Sequence, residues 1–186
     1  VYIINMGVNI MEETIKLIYG DGGKYTNELI KEIVYKHFNN VILTSGIDSA
    51  VFPVKQGKMA FTTDSFVVKP LFFPGGDIGK LAICGTINDL SVSGAKPIYL
   101  SCSFIIEEGF PTKTFELIVK SMAEQCKKSN VKVVTGDTKV VEKGGVDGIF
   151  INTSGVGTIE KNYEIKPIES GDRIIVSGNI GEHGTT

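Results

Sequence analysis

The sequence predicts an α+β fold, and two observations lead there. Segments in which apolar residues alternate are interleaved with segments of helical spacing, without the strict strand–helix–strand order of a dinucleotide-binding sheet. Glycine accounts for 22 of 186 residues, above the usual share of about 7% and without a collagen-like period. Such glycines mark tight turns and places where the backbone approaches something closely. At 186 residues and 42% hydrophobic, the chain suits one domain, or one domain with the stub of a second.

Taken in order, Thr26 or Asn27 is positioned to cap a helix carrying Leu29, Ile30, Ile33, Val34 and Phe38. From Ala50 to Val68 the pattern becomes strand, turn, strand, with Gln56-Gly57 as the hairpin turn between segments 50–54 and 58–63. Asp77 caps a second helix with Ile78, Leu81, Ala82, Ile87 and Leu90 on one face, ending near Gly94. Segment 96–107 is β-rich. Thr112 is read as the cap of a third helix bearing Phe115, Ile118, Val119, Met122, Ala123 and Cys126, with Asn130 as its stop. Segments 131–135, 148–157 and 173–177 read as further strands, and the last residues, 178–186, as a glycine-rich linker.

Composition excludes several classes. Nineteen basic residues against 21 acidic ones give a net charge of −2, and Arg173 is the single arginine, so the basic face of a nucleic-acid binder is missing. The uncharged N-terminal stretch, 1–11, falls short of the ~18 apolar residues of a membrane span. It also lacks a basic n-region and a cleavage site. Cys84, Cys102 and Cys126 form neither a CxxC pair nor a disulfide framework, which fits a reducing cytoplasm. Cys84 and Cys126, on helices among apolar neighbours, read as buried inert thiols, and His37 as a structural residue. Residues 1–10 read as a non-native or disordered leader ahead of Met11.

Three features could carry chemistry. Gly20-Asp21-Gly22-Gly23, following a strand-like start, could let backbone N–H groups approach phosphate oxygens, or could be an ordinary surface turn. Asp48, Asp64, Asp89 and Asp137 each lie beside small or hydroxylic residues at the end of an apolar segment. Together they would suit a hard cation such as Mg²⁺, which takes carboxylates plus substrate phosphates; singly, each would serve as a cap or turn former. Lys139, after Gly136-Asp137-Thr138, could bear phosphate charge or be a solvated lysine. The P-loop, the dinucleotide fingerprint and the nucleophile elbow are all absent.

The run Thr62-Thr-Asp-Ser-Phe-Val-Val-Lys-Pro-Leu-Phe-Phe-Pro-Gly-Gly-Asp-Ile-Gly-Lys-Leu-Ala-Ile-Cys-Gly-Thr-Ile-Asn-Asp-Leu-Ser-Val-Ser-Gly-Ala-Lys-Pro closely resembles the HypE family of hydrogenase maturation factors. Thr135-Gly-Asp-Thr-Lys-Val-Val and Val176-Ser-Gly-Asn-Ile-Gly-Glu-His-Gly resemble two further signatures of that family, and the likeness extends from about Met11 to the last residue. HypE belongs to the PurM-like ATP-binding superfamily. The resemblance implies a mixed sheet packed with helices, dimerising through the sheet into a barrel-like whole, with ATP and Mg²⁺ near the dimer interface. It divides the chain into an ATP-binding domain over 11–178 and the start of a linker, 179–186, to a further domain.

Carried over residue by residue, the resemblance makes Asp64 and Asp137 the leading Mg²⁺ ligands, with Asp48 and Asp89 assisting. Asn88, Thr138 and Lys139 would line the nucleotide site, the loop Gly20, Asp21, Gly22 and Gly23 would fold over the phosphates, and Asp89 and Lys139 would serve the reaction itself. Ser49 stands after Asp48 where several relatives place a second aspartate, which bears on the number of metal ions. The implied activity is ATP-dependent dehydration of a thiocarboxamide on a C-terminal cysteine to a thiocyanate. HypF would deliver the carbamoyl group, and a HypC–HypD complex would accept the cyanide for nickel–iron hydrogenase. The further domain and tail cysteine would lie beyond residue 186, leaving this piece inactive alone. Rival readings are a small-molecule kinase, a selenophosphate-synthetase-like enzyme, for which the loop 20–23 lacks the reactive cysteine, and a non-catalytic docking module.

Overall fold

The computed structural model describes residues 13–20, 23–45, 58–159 and 166–181. The strands are β1 (Lys58–Phe66), β2 (Phe72–Phe73), β3 (Gly76–Asp77), β4 (Ala95–Glu107), β5 (Lys132–Val141) and β6 (Ile149–Ile159). The α-helices are α1 (Lys24–Leu29), α2 (Lys36–Phe38), α3 (Ile78–Val92) and α4 (Thr112–Lys128). A π-helical turn, Ile30–Tyr35, joins α1 to α2 without a break. The expected α+β class is what the chain adopts.

The main sheet has four strands in the order β1–β6–β4–β5. β6 runs antiparallel to both neighbours, and β4 and β5 are parallel. A parallel pair needs a long crossover, and α4 supplies it. Alternation decides which face is covered. Along β6, Ile149, Ile151, Thr153, Gly155 and Gly157 are buried, while the residues between them are half-buried. Helices α3 and α4 pack on the buried face. Ile83, Phe115, Ile118 and Met122 from the helices meet Leu100, Cys102, Phe104, Ile106, Ile149 and Ile151 from the strands. At the centre the rings of Phe104 and Phe115 meet edge to face, 5.1 Å between centroids.

The opposite face is open among the described residues, and Phe61 on it is 71% exposed. It carries two polar rows that run across all four strands. Ser65, Asn152, Ser103 and Asp137 stand in one register row, and Thr63, Ser154, Ser101 and Thr135 in the next. Asn152 Nδ2 donates to Ser65 Oγ (3.0 Å) and to the Asp64 carbonyl (2.9 Å), and Ser154 Oγ to Thr63 Oγ1 (2.9 Å).

Local signals were mostly legible. Asp77 caps α3 as expected, its Oδ1 accepting from Gly79 N (2.7 Å) and Lys80 N (3.0 Å). Asn130 ends the α4 turn in the left-handed region at φ 54°. Several expectations need correcting. The first helix begins at Lys24 with Gly23 as its N-cap and no side-chain cap, so Thr26 and Asn27 lie within it. Thr112 is the first residue of α4, and its N-cap is Pro111, whose fixed φ (−63°) suits a helix entry. The stretch before the 20–23 loop is a 3₁₀ turn, Leu17–Gly20, and not a strand. Residues 173–177 are irregular, with Ile174 and Ile175 at 94% and 90% exposed; no neighbouring strand completes their ladder among the described residues. Ala50 to Val54, the Gln56-Gly57 turn, Asp21, Gly22, Asp48 and residues 1–10 lie outside the described residues.

Candidate functional site

Among the described residues, those singled out for chemistry fall at the two edges of the main sheet. At the β1 edge, Asp64 is half-buried on the helix-covered side, with Ala60, Thr62 and Phe66. Helix α3 lies over this side. Gly85 sits above Asp64 and Phe66; a Cβ built there would stand 2.9 Å from the Phe66 ring and 3.6 Å from Asp64 Oδ2. One turn on, Asp89 reaches Thr62, whose Oγ1 donates to Asp89 Oδ2 at 3.1 Å. Asp64 and Asp89 therefore share the groove between β1 and α3, about 6 Å apart along it, since one helical turn rises ~5.4 Å and two strand residues ~6.6 Å. Asn88, beside Asp89, is exposed.

At the β5 edge, Asp137 and Lys139 are exposed and the intervening Thr138 is buried, as alternation requires. Gly20 comes to this same strand. A Cβ on Gly20 would lie 2.7 Å from Val140 N, so only glycine allows the 3₁₀ turn to rest against β5. A cleft of about 240 Å³ opens beside it, walled by Ile30, Val34, Phe38, Cys102, Phe104 and Val133 and floored by 135–138. Thus Gly20, Asp137, Thr138 and Lys139 form one group, and Asp64, Asn88 and Asp89 another.

The two groups are far apart within one chain. Asp64, Thr153, Cys102 and Gly136 stand in a single register row across the sheet. Three strand spacings of ~4.8 Å separate its ends, about 14 Å. The sides differ as well. Asp64 faces the helices, whereas Asp137 shares the open face with Ser103. No group of three or more His, Cys, Asp or Glu gathers as a metal site among the described residues. The donors at the β1 edge are carboxylate and hydroxyl oxygens, which suit a hard cation such as Mg²⁺ and not zinc. Among the described residues neither Asp64 nor Asp89 has an ion-pair partner.

The thiols and His37 lie outside both groups. Burial pushes the Cys126 thiol up to about 12 and raises that of Cys102 well above its usual value. Cys126 is the buried core thiol expected, and Cys102 is a second, whereas Cys84, expected to be buried, is half-buried because its side of α3 is not fully covered. His37 Nε2 lies 3.4 Å from Glu116 Oε1, which Lys36 Nζ also reaches at 2.6 Å; both tie α2 to α4.

Sequence reasoning missed Thr62 and Gly85. Thr62 precedes Asp64 by two residues, so strand alternation alone puts both on one side. The Gly85–Phe66 contact carries no local signal.

The family profile of the AIR synthase related protein N-terminal domain matches residues 46–159. The chain is 45% identical over 179 residues to carbamoyl dehydratase HypE of Bradyrhizobium diazoefficiens. It is 48% identical over 179 residues to carbamoyl dehydratase HypE of Escherichia coli, an alignment covering 92% of this chain and 53% of that protein. The chain spans about half the length of the curated relatives it matches. Among solved structures it is similar to hydrogenase maturation protein HypE in complex with ATP (TM-score 0.78, 48% identity, covering 79% of this chain and 44% of that one). It is also similar to HypE in a HypE–HypF complex (TM-score 0.56, 58% identity, covering 72% and 43%). A thiamine-monophosphate kinase from Stenotrophomonas maltophilia shares the fold at TM-score 0.52 with 15% identity, over 70% of this chain and 41% of that one.

Proposed function

The chain belongs to the AIR synthase related family, among its HypE hydrogenase maturation proteins, and from that premise we propose that it is the ATP-binding half of a carbamoyl dehydratase. ATP with Mg²⁺ would bind between two copies of the chain, the β1-edge group of one copy facing the β5-edge group of the other. The observation that carries this reading is the division of the functional residues between opposite sheet edges about 14 Å apart. Neither edge alone supplies both a carboxylate pair and a cationic, glycine-lined phosphate seat. The open face supports the same reading: Phe61, Met59 and Ile105 are 71%, 44% and 40% exposed on it, an apolar rim around the hydroxyl rows.

The reaction follows from leaving-group chemistry. The oxygen of a thiocarboxamide is a poor leaving group until it is phosphorylated. The amide oxygen attacks the γ-phosphorus, the bond to ADP breaks, and loss of phosphate and the nitrogen-bound protons leaves the nitrile. Mg²⁺, when bound, supplies charge neutralisation on the phosphates. Asp64, Asp89 and Asp137, with Asp48, would hold it, and Asn88 and Thr138 would orient the nucleotide. Backbone N–H groups of the Gly20, Asp21, Gly22 and Gly23 loop would approach the phosphates, and the Lys139 ammonium would lie against the developing charge. HypF as carbamoyl donor, a HypC–HypD complex as cyanide acceptor and a cytoplasmic setting complete the reading. Among the described residues no helix is long and apolar enough to cross a membrane.

The test couples assembly to binding. Phe61→Lys, on the open face of β1 and so on the opposite side of the sheet from Thr62 and Asp64, is expected to shift the chain from dimer to monomer by light scattering. It should abolish Mg²⁺-ATP binding by calorimetry at the same time. A monomeric wild-type chain that binds ATP, or a dimer indifferent to Asp137→Asn, would overturn the proposal; the second result would favour a docking module.

A further inference from the structure

Resting on the metal-binding role proposed for Asp89, we infer that Thr62 is a positioning residue that locks the Asp89 carboxylate in the orientation a divalent cation needs. Thr62 Oγ1 donates to Asp89 Oδ2 at 3.1 Å, and among the described residues this is the carboxylate's one hydrogen bond. A hydroxyl donor on one oxygen leaves the other oxygen with its lone pairs free for a cation. Thr62 is well suited to the task. It lies two residues from Asp64 on the helix-facing side of β1, so one strand both supplies a ligand and steers another. Its β-branch restricts χ1, so the hydroxyl is held in place by the strand.

Asp89 needs such steering. It is exposed near the end of α3, where its main-chain carbonyl accepts from Ser93 N (3.3 Å) and Ser93 Oγ (2.9 Å). The backbone is therefore anchored, while the side chain would sweep through rotamers in water without Thr62. Fixing one oxygen removes that freedom before the cation arrives, which is the preorganisation on which tight coordination depends.

The experiment measures Mn²⁺ binding by electron paramagnetic resonance in the presence of a non-hydrolysable ATP analogue, with thermal melting run alongside. Thr62→Val keeps the shape and strand preference and removes the donor; it is expected to weaken Mn²⁺ binding about tenfold, the size of one hydrogen bond to a charged group. Thr62→Ser should bind within about twofold of wild type, and the melting temperatures should stay close. Asp89→Asn is the control for the underlying reading and should lose most of the binding. Loss in Asp89→Asn with none in Thr62→Val overturns the positioning role and leaves the proposed site standing. Unchanged binding in Asp89→Asn overturns the site itself and the positioning role with it. If Thr62→Val melts early, Thr62→Ser decides: weak Mn²⁺ binding with a native melting temperature also overturns the inference.

Discussion

Gly136 and Cys102 are register partners on β5 and β4, and a Cβ on Gly136 would lie 2.1 Å from the Cys102 carbonyl oxygen. The register shifts between Leu100 and Ser101 just before this pair, and the two backbones lie close where Thr135-Gly-Asp-Thr-Lys begins. The obstacle is backbone, which has nowhere to go.

Gly136→Ala is therefore expected to destabilise the chain by about 2–4 kcal/mol, more than ordinary overpacking because the clash is with main chain. ATP binding should fall with it, since Asp137 follows immediately. Urea unfolding and calorimetry check both; a melting curve equal to wild type would contradict the close approach.

Phe115 is fully buried against Phe104 between α4 and the sheet. Phe115→Ala should cost about 3–5 kcal/mol, the sum of lost transfer energy and the cavity left behind. Chemical denaturation should show this as a lower midpoint with an unchanged slope.

Lys36 bonds to Glu116 and holds its carboxyl below the usual carboxylate range, with His37 adding to the effect; Glu116 in turn raises Lys36. A depressed carboxylate stabilises the fold above its unfolded pKa, near 4.5, and loses that contribution as pH falls through the lower folded value. For Lys36 the sign is reversed: its share is complete below the unfolded pKa of 10.5 and is lost as pH rises through the raised folded value. The pair is solvent-exposed, so Glu116→Gln should cost no more than about 1 kcal/mol at pH 7, and less in high salt. The difference from wild type should shrink at pH 3, measured by urea midpoints at each pH.

Cys102 and Cys126 are buried and Cys84 is half-buried. In the native chain a thiol reagent at pH 8 should label Cys84 alone, because the other thiols are sequestered and protonated. All three cysteines should react after unfolding. Rapid native labelling of Cys126 would contradict the packing of α4.

How much of this was legible beforehand depended on how local each signal was. The Asp77 cap, the left-handed stop at Asn130 and the alternation of segments 96–107 and 148–157 are encoded within a few residues and were readable. The Thr26 and Thr112 caps were misplaced because residues of the right type stood close to helix starts made instead by Gly23 and Pro111. The strand expected at 173–177 has a short β-branched apolar run, Ile174-Ile175-Val176, but a strand exists only when another completes its hydrogen bonds.

The sequence by itself determined the α+β class, the family and the residue types proposed for the site, because residue types and short spacings carry all three. Only the tertiary structure decided how those groups are divided. β6 enters between β1 and β4, which sets Asp64 and Asp89 at one edge and Asp137 and Lys139 at the other. Strand order comes from long-range pairing, in which each partner's choice depends on the burial of the whole sheet. No window of the sequence contains that information, and the same holds for the Thr62 hydroxyl finding Asp89 across 27 residues.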